Sequence, residues 1–135
     1  MTEFKRKLLS VFLLAFLLNW AWENLHSNLY LHYSGGDISQ GVLFQATFLD
    51  AIFITLMAIF FLKVRFLRRN IWYALVFGVI AGMITEIYAL RIGWWGYSEL
   101  MPIVPIVNTG LTPTIQLGLL AYITYKIVGM KSPSF

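Results

Sequence analysis

Four apolar stretches, residues 8–30, 42–62, 71–92 and 106–128, occupy most of the 135-residue chain and leave only short connections between them. A helix needs roughly 20 residues to cross the hydrocarbon core of a bilayer, and backbone facing lipid must satisfy its own hydrogen bonds. Each stretch is therefore expected to be a membrane helix. The expected fold is all-α, an integral membrane four-helix bundle forming a single domain over residues 1–135. Composition agrees, with 59% hydrophobic and 12% charged residues where soluble domains carry about 25% charged. No soluble domain fits in the remainder, so chemistry is expected within the bilayer or at its surface. The chain has no cysteine, which excludes disulfides and thiolate metal sites.

The positions of the charges set the expected orientation. With the N-terminus inside, the inner side carries Lys5, Arg6, Lys7, Lys63, Arg65, Arg68, Arg69, Lys126 and Lys131, and only Arg91 lies outside. That bias predicts both termini on the cytoplasmic side, most simply of a plasma (cytoplasmic) membrane. The net charge of +4 then reads as a topology signal with attraction to membrane lipid, and nucleic acid is not an expected partner. Residues 1–18 also carry the basic start and apolar run of a secretory signal peptide. Asn19-Trp20-Ala21-Trp22-Glu23 lacks a small-x-small cleavage pattern, however, so the stretch is read as a helix.

Of the six acidic residues, Glu23, Asp50 and Glu86 fall within the expected spans. A central charge in a membrane helix costs about 2.5–3.5 kcal/mol on insertion scales, so these three need partners, protons, a cation or water. Counted from the outer helix ends at about 1.5 Å per residue, Glu23, Asp50, Glu86 and Gln116 all lie in the outer half of the membrane, roughly 10–15 Å deep. Asn19, Glu23, His26 and Tyr30 recur at i, i+4, i+7 and i+11, one face of the first helix. Gly78 and Gly82 form a GxxxG row that Glu86 continues, so close packing is expected to turn Glu86 inward. Thr109, Thr112 and Gln116 form a polar stripe around Pro113, whose ring is expected to free the Thr109 carbonyl. Together these predict a polar chamber between the helices. The Gly/Trp/Pro-rich outer loop between the third and fourth helices, residues 93–105, is placed to anchor at the interface or to cover the chamber. Thr47, Thr55, Thr85 and Thr124 are expected to bond their own helix carbonyls, and His32 and Asp37 to sit in solvated loop.

Three chemistries suit this set. Crowded carboxylates in a poorly solvated site keep one group as proton donor while another stays ionised. Glu23, His26, Asp50 and Glu86 would then form an acid–base set for isomerisation, hydration or cyclisation of an apolar lipid or isoprenoid. Asn19 and Gln116 would orient groups, while Trp22, Tyr30, Trp95 and Tyr97 shape the pocket. Alternatively, Glu23 and His26 form an ExxH pair of the kind that binds metal in ferritin-like proteins. Glu23, His26, Asp50 and Glu86 would be ligands for a divalent metal, with a homo-oligomer supplying a second His26. The same acids would also serve a non-enzymatic binder or carrier of a cation or cationic small molecule, and the glycine row would suit a small subunit of a membrane complex. A continuous ion path is not expected, because residues 8–18, 53–62 and 71–79 are nearly all apolar.

Glu86, the Gly93-Trp94-Trp95-Gly96-Tyr97 segment and the prolines after it resemble membrane-integral carotenoid cyclases and hydratases. The resemblance covers residues 86–116, about a quarter of the chain. It implies a small helical bundle acting on an isoprenoid with intramembrane acids. Gly110-Leu111-Thr112-Pro113-Thr114-Ile115-Gln116 stands where those cyclases carry paired glutamates. The rest, including Trp22-Glu23-Asn24-Leu25-His26, looks like a small four-helix membrane-protein family.

Overall fold

The computed structural model describes residues 1–130, so Lys131, counted above with the inner charges, lies outside the described residues. The chain is mostly helical. Its α-helices are α1 (Glu3–His26), α2 (Gln40–Lys63), α3 (Arg65–Arg69), α4 (Tyr73–Ile92) and α5 (Leu111–Val128). Two short strands, β1 (Tyr30–Tyr33) and β2 (Trp95–Tyr97), pair antiparallel. Three of the helices, α1, α2 and α4, are long and apolar enough to cross a membrane.

Local chemistry sets the ends. The Thr2 hydroxyl accepts from Lys5 N–H at 3.2 Å and the Ser39 hydroxyl accepts from Val42 N–H at 3.2 Å, so α1 and α2 start on capping residues. Helix α4 stops at Gly93, whose φ of 76° puts it in the left-handed region, and Trp94 N–H returns to the Ala89 carbonyl at 2.9 Å. Helix α5 ends the same way at Gly129.

Two expectations about the fourth stretch are corrected. Residues 106–110 are not helical, because Asn108 N–H and Val104 N–H are used in a turn that closes on Val104 and Thr109 carbonyls, and Ile103 bridges to Gly110. Helix α5 begins only at Leu111, which leaves Pro113 in a first turn whose N–H groups have no helical partner anyway. The Thr109 carbonyl is not freed by the ring; it accepts from Val104 N–H at 2.8 Å.

Packing is uneven. Helices α4 and α5 meet backbone to backbone: a Cβ on Gly78 would run into Gly118, and one on Gly82 would lie 2.8 Å from the Thr114 carbonyl oxygen. The glycine row thus serves an internal seam, and Glu86 on the same row is buried as expected. Helices α1 and α2 pack through small residues and edge-on rings, among them Phe16 on Phe44 and Phe12 on Phe48. The apolar core is built from Val11, Ala15, Ala51, Ile54, Ala58, Phe61, Ala74, Leu120, Ala121 and Tyr125. The backbones of α2 and α4 make few close approaches, and Phe61 meets Phe77 edge-on at 6.2 Å.

The outward faces are apolar; Leu9, Leu13 and Leu17 on α1 and Phe60, Ile84 and Tyr88 elsewhere are all exposed. Basic residues gather at the end where the core is dry. Lys7 Nζ donates to the Gly129 carbonyl at 2.9 Å, and Lys63 Nζ lies 6.0 Å above the Phe4 ring. Arg91 sits alone in the last turn of α4, at the opposite end.

Candidate functional site

The polar residues expected at one depth form two hydrogen-bonded groups facing one cavity. Asn19 and Glu23 share a face of α1 and are buried there, and Gln116 reaches them from α5. The Asn19 amide nitrogen donates to the Ala15 carbonyl at 2.8 Å, which leaves its oxygen facing Gln116 and fixes Gln116 as the donor. Gln116 Nε2 then has three acceptors, Asn19 Oδ1 at 2.9 Å, Glu23 Oε1 at 2.8 Å and Asp50 Oδ2 at 3.0 Å. An amide NH2 has two hydrogens. The three acceptors therefore share two hydrogens.

His26 extends this group away from the cavity. Its Nε2 lies 3.3 Å from Glu23 Oε2 and its Nδ1 lies 2.8 Å from Thr112 Oγ1. The ring is thereby held between α1 and α5, behind Glu23.

The second group is centred on Glu86. One carboxylate oxygen accepts from Tyr97 OH at 2.6 Å, Tyr30 OH at 3.2 Å and Trp95 Nε1 at 3.2 Å. All three donors come from the β1–β2 pair, so the small sheet is moored to α4 by one buried acid. Tyr97 also accepts from Gly110 N–H at 2.8 Å, which ties the start of α5 to the same point. Burial, and then donation to Glu86, push the Tyr97 phenol above its ordinary range, so it remains a donor.

Between the groups lies a cavity of about 380 Å3 lined by Glu23, Asp50, Glu86, Gln116, Tyr30 and Trp95 together with apolar residues of α2, α4 and α5. Among the described residues no Lys or Arg lines it. No family model, curated protein or solved structure matches the chain. Any functional reading therefore rests on this geometry.

The expected site residues divide by position. Asn19, His26 and Tyr97 stand behind the cavity wall, each bonded to a residue that lines it. Tyr30 reaches the site from β1 and not from the first helix, which ends at His26. Trp22 does not line the cavity. Its ring packs edge-on to His26 at 6.1 Å, and its buried indole N–H has no hydrogen-bond partner among the described residues.

Thr55 and Thr85 bond their own helix carbonyls, at 2.7 and 2.8 Å. Thr47 and Thr124 do not; their hydroxyls are buried with no partner. Asp37 is exposed in a loop as expected, but His32 lines the cavity. Its Nδ1 accepts from Gly35 N–H at 2.9 Å, so the neutral ring carries its proton on Nε2. Tyr33, Trp94 and Ser27 also line the cavity and carried no sequence signal as site residues.

The geometry gathers no metal-ligand set: among the described residues no group of three or more His, Asp or Glu is arranged around one point.

Proposed function

We propose that this chain is a four-span plasma-membrane protein with both termini inside, and that its outer cavity is the active site of an acid–base enzyme acting on an apolar lipid or isoprenoid. Helix α5 is the fourth span in this reading. Its Thr, Gln and Pro residues lower its hydropathy, but Leu117, Gly118, Leu120, Ala121 and Tyr125 bury it against its neighbours, so little of it has to face lipid. The basic end of the bundle then lies inside and Arg91 outside.

The observation that carries the proposal is the cleft between α2 and α4. It is lined by Leu49, Asp50 and Phe53 of α2, Ala81, Gly82 and Glu86 of α4, and Tyr30 and Trp95 of β1–β2, and its lateral side between the two helices is read as the entrance. In a bilayer that side faces acyl chains, so an apolar substrate would enter laterally and meet carboxyls on two walls. Glu23 and Asp50, sharing Gln116, would act on one side, with His26 holding Glu23 in place. Glu86, held by three donors, would face the substrate from the other side. A proton added at one carbon and removed from another is the common step of isomerisation and cyclisation, and it needs no cofactor. The resemblance of residues 86–116 to carotenoid cyclases and hydratases points to the same chemistry.

The test needs no prior substrate. Purified protein is incubated with a membrane lipid extract in D2O, and the lipids are examined by mass spectrometry. Wild type is expected to add deuterium to one lipid class, and Glu23→Gln and Glu86→Gln to lose this by at least 100-fold. Equal incorporation by both variants would refute the assignment.

A second reading is favoured by the absence of Lys and Arg from the cavity and by the rings of Tyr30, Tyr33, Trp94 and Trp95 around it. Such walls suit a cationic amphiphile, bound without reaction. That reading predicts saturable binding of a long-chain amine and no deuterium incorporation.

A further inference from the structure

Hydrogen-bond donors lining the outer cavity stand at two levels. Those by the acids are committed: Tyr30 and Trp95 donate to Glu86, and Gln116 donates to Glu23 and Asp50. A second set is not. The Gln45 amide, the His32 Nε2–H, the Tyr33 phenol and the Trp94 indole belong to residues that line the cavity, and among the described residues none of them has a hydrogen-bond partner.

The uncommitted donors lie toward one end. Gln45 stands five residues before Asp50 on α2, so about 7.5 Å of helix separates the two levels. His32 and Tyr33 sit on β1, and Trp94 directly precedes β2. Gly96 is the register partner of His32, and a Cβ there would lie 3.2 Å from Nε2, so the glycine leaves the imidazole its place.

Given the reading of the cavity as a lipid site, on which this rests, we propose that it takes a neutral lipid carrying a hydroxyl or carbonyl oxygen. Gln45 and His32 hold the oxygen, and the carbon chain reaches the acids. Charge decides against the alternatives. A carboxylate or diphosphate would be desolvated in the same cavity as Glu23, Asp50 and Glu86, with no Lys or Arg among the described lining residues to offset it. An ammonium at the level of Gln45 would face N–H and O–H donors where it needs acceptors. A plain hydrocarbon would displace water from those donors and give nothing in return, whereas a neutral oxygen accepts from them.

The test is native mass spectrometry of the full chain in mild detergent, titrated with phytol, phytanic acid, phytylamine or phytane, which share one carbon skeleton. Wild type is expected to retain phytol at least about tenfold more tightly than the acid, the amine or the hydrocarbon. Gln45→Leu alters an exposed rim position and should weaken phytol about fivefold; combined with His32→Phe the loss should reach about 30-fold. Phytane should be held by both variants as by wild type, which shows that they are folded. Equal retention of phytol and any of the other three would overturn the proposal, and tighter retention of phytylamine would do so in favour of a cation site. So would a Gln45→Leu protein that loses phytol and phytane alike. Failure of the acid–base reading shows separately, as a lack of deuterium incorporation, and leaves the preference for phytol standing.

Discussion

Helix α4 meets its two neighbours in opposite ways. Against α5 it lies backbone to backbone over Gly78, Gly82 and Gly118, with no room for a Cβ. Against α2 its backbone makes few close approaches, Phe61 meets Phe77 edge-on, and residues of both helices line the acid-bearing cavity. The same helix is therefore locked on one side and open on the other. Membrane helices gain little from burying apolar surface against each other when lipid is equally apolar, so contact depends on small residues and polar bonds. Where the glycines stop, the bundle opens.

Breaking the locked side should have the largest effect. Gly118→Leu has to displace the Leu75 carbonyl and Val79, and should cost about 3 kcal/mol or more, seen as loss of a monodisperse folded species in detergent. A stable Gly118→Leu protein would mean that the seam is not what holds α4. Gln116→Leu comes next. It removes the donor shared by Asn19, Glu23 and Asp50, and leaving those buried acceptors unpaired should cost about 2–3 kcal/mol in a thermal melt. Tyr97→Phe deletes one of three bonds to Glu86 and the acceptor for Gly110 N–H. A loss of about 1.5 kcal/mol is expected, with faster proteolysis of residues 98–110 as a sharper readout. On the open side, Leu49→Trp places a larger ring at an exposed rim position and should change stability by less than about 0.5 kcal/mol. Its melting temperature should match that of wild type, in contrast to every change on the locked side.

The same division separates what was legible in the sequence from what was not. The glycine row announced both the seam and the burial of Glu86, because helical spacing alone puts residues 78, 82 and 86 in line. The convergence of Glu23, Asp50 and Gln116 was legible from depth, since unrelated helices placed polar groups at the same level. The β1–β2 pairing was not. Tyr30 and Tyr97 are brought together across three helices, and a three-residue strand has no periodicity to detect. His32 was misplaced for the same reason: its position in the cavity wall depends on strand pairing and not on its neighbours in sequence. Residues 106–110 looked apolar enough to continue a helix, but Gly110 holds extended backbone before α5, and Ile106 and Asn108 adopt positive φ values of 74° and 58°. Those are choices of a turn, and composition does not record them. The basic connection after α2 likewise concealed α3, a single short helix of Arg65–Arg69.

The central claim is that an apolar molecule reaches Glu23, Asp50 and Glu86 through the side of the bundle between α2 and α4. Native mass spectrometry of wild type and Leu49→Trp, purified in mild detergent without added metal or chelator, tests it most directly. The account predicts one apolar molecule of defined mass on the wild-type protomer and none on Leu49→Trp, with the two proteins equally folded. A molecule retained equally by both, or a bare protomer in both, would contradict it.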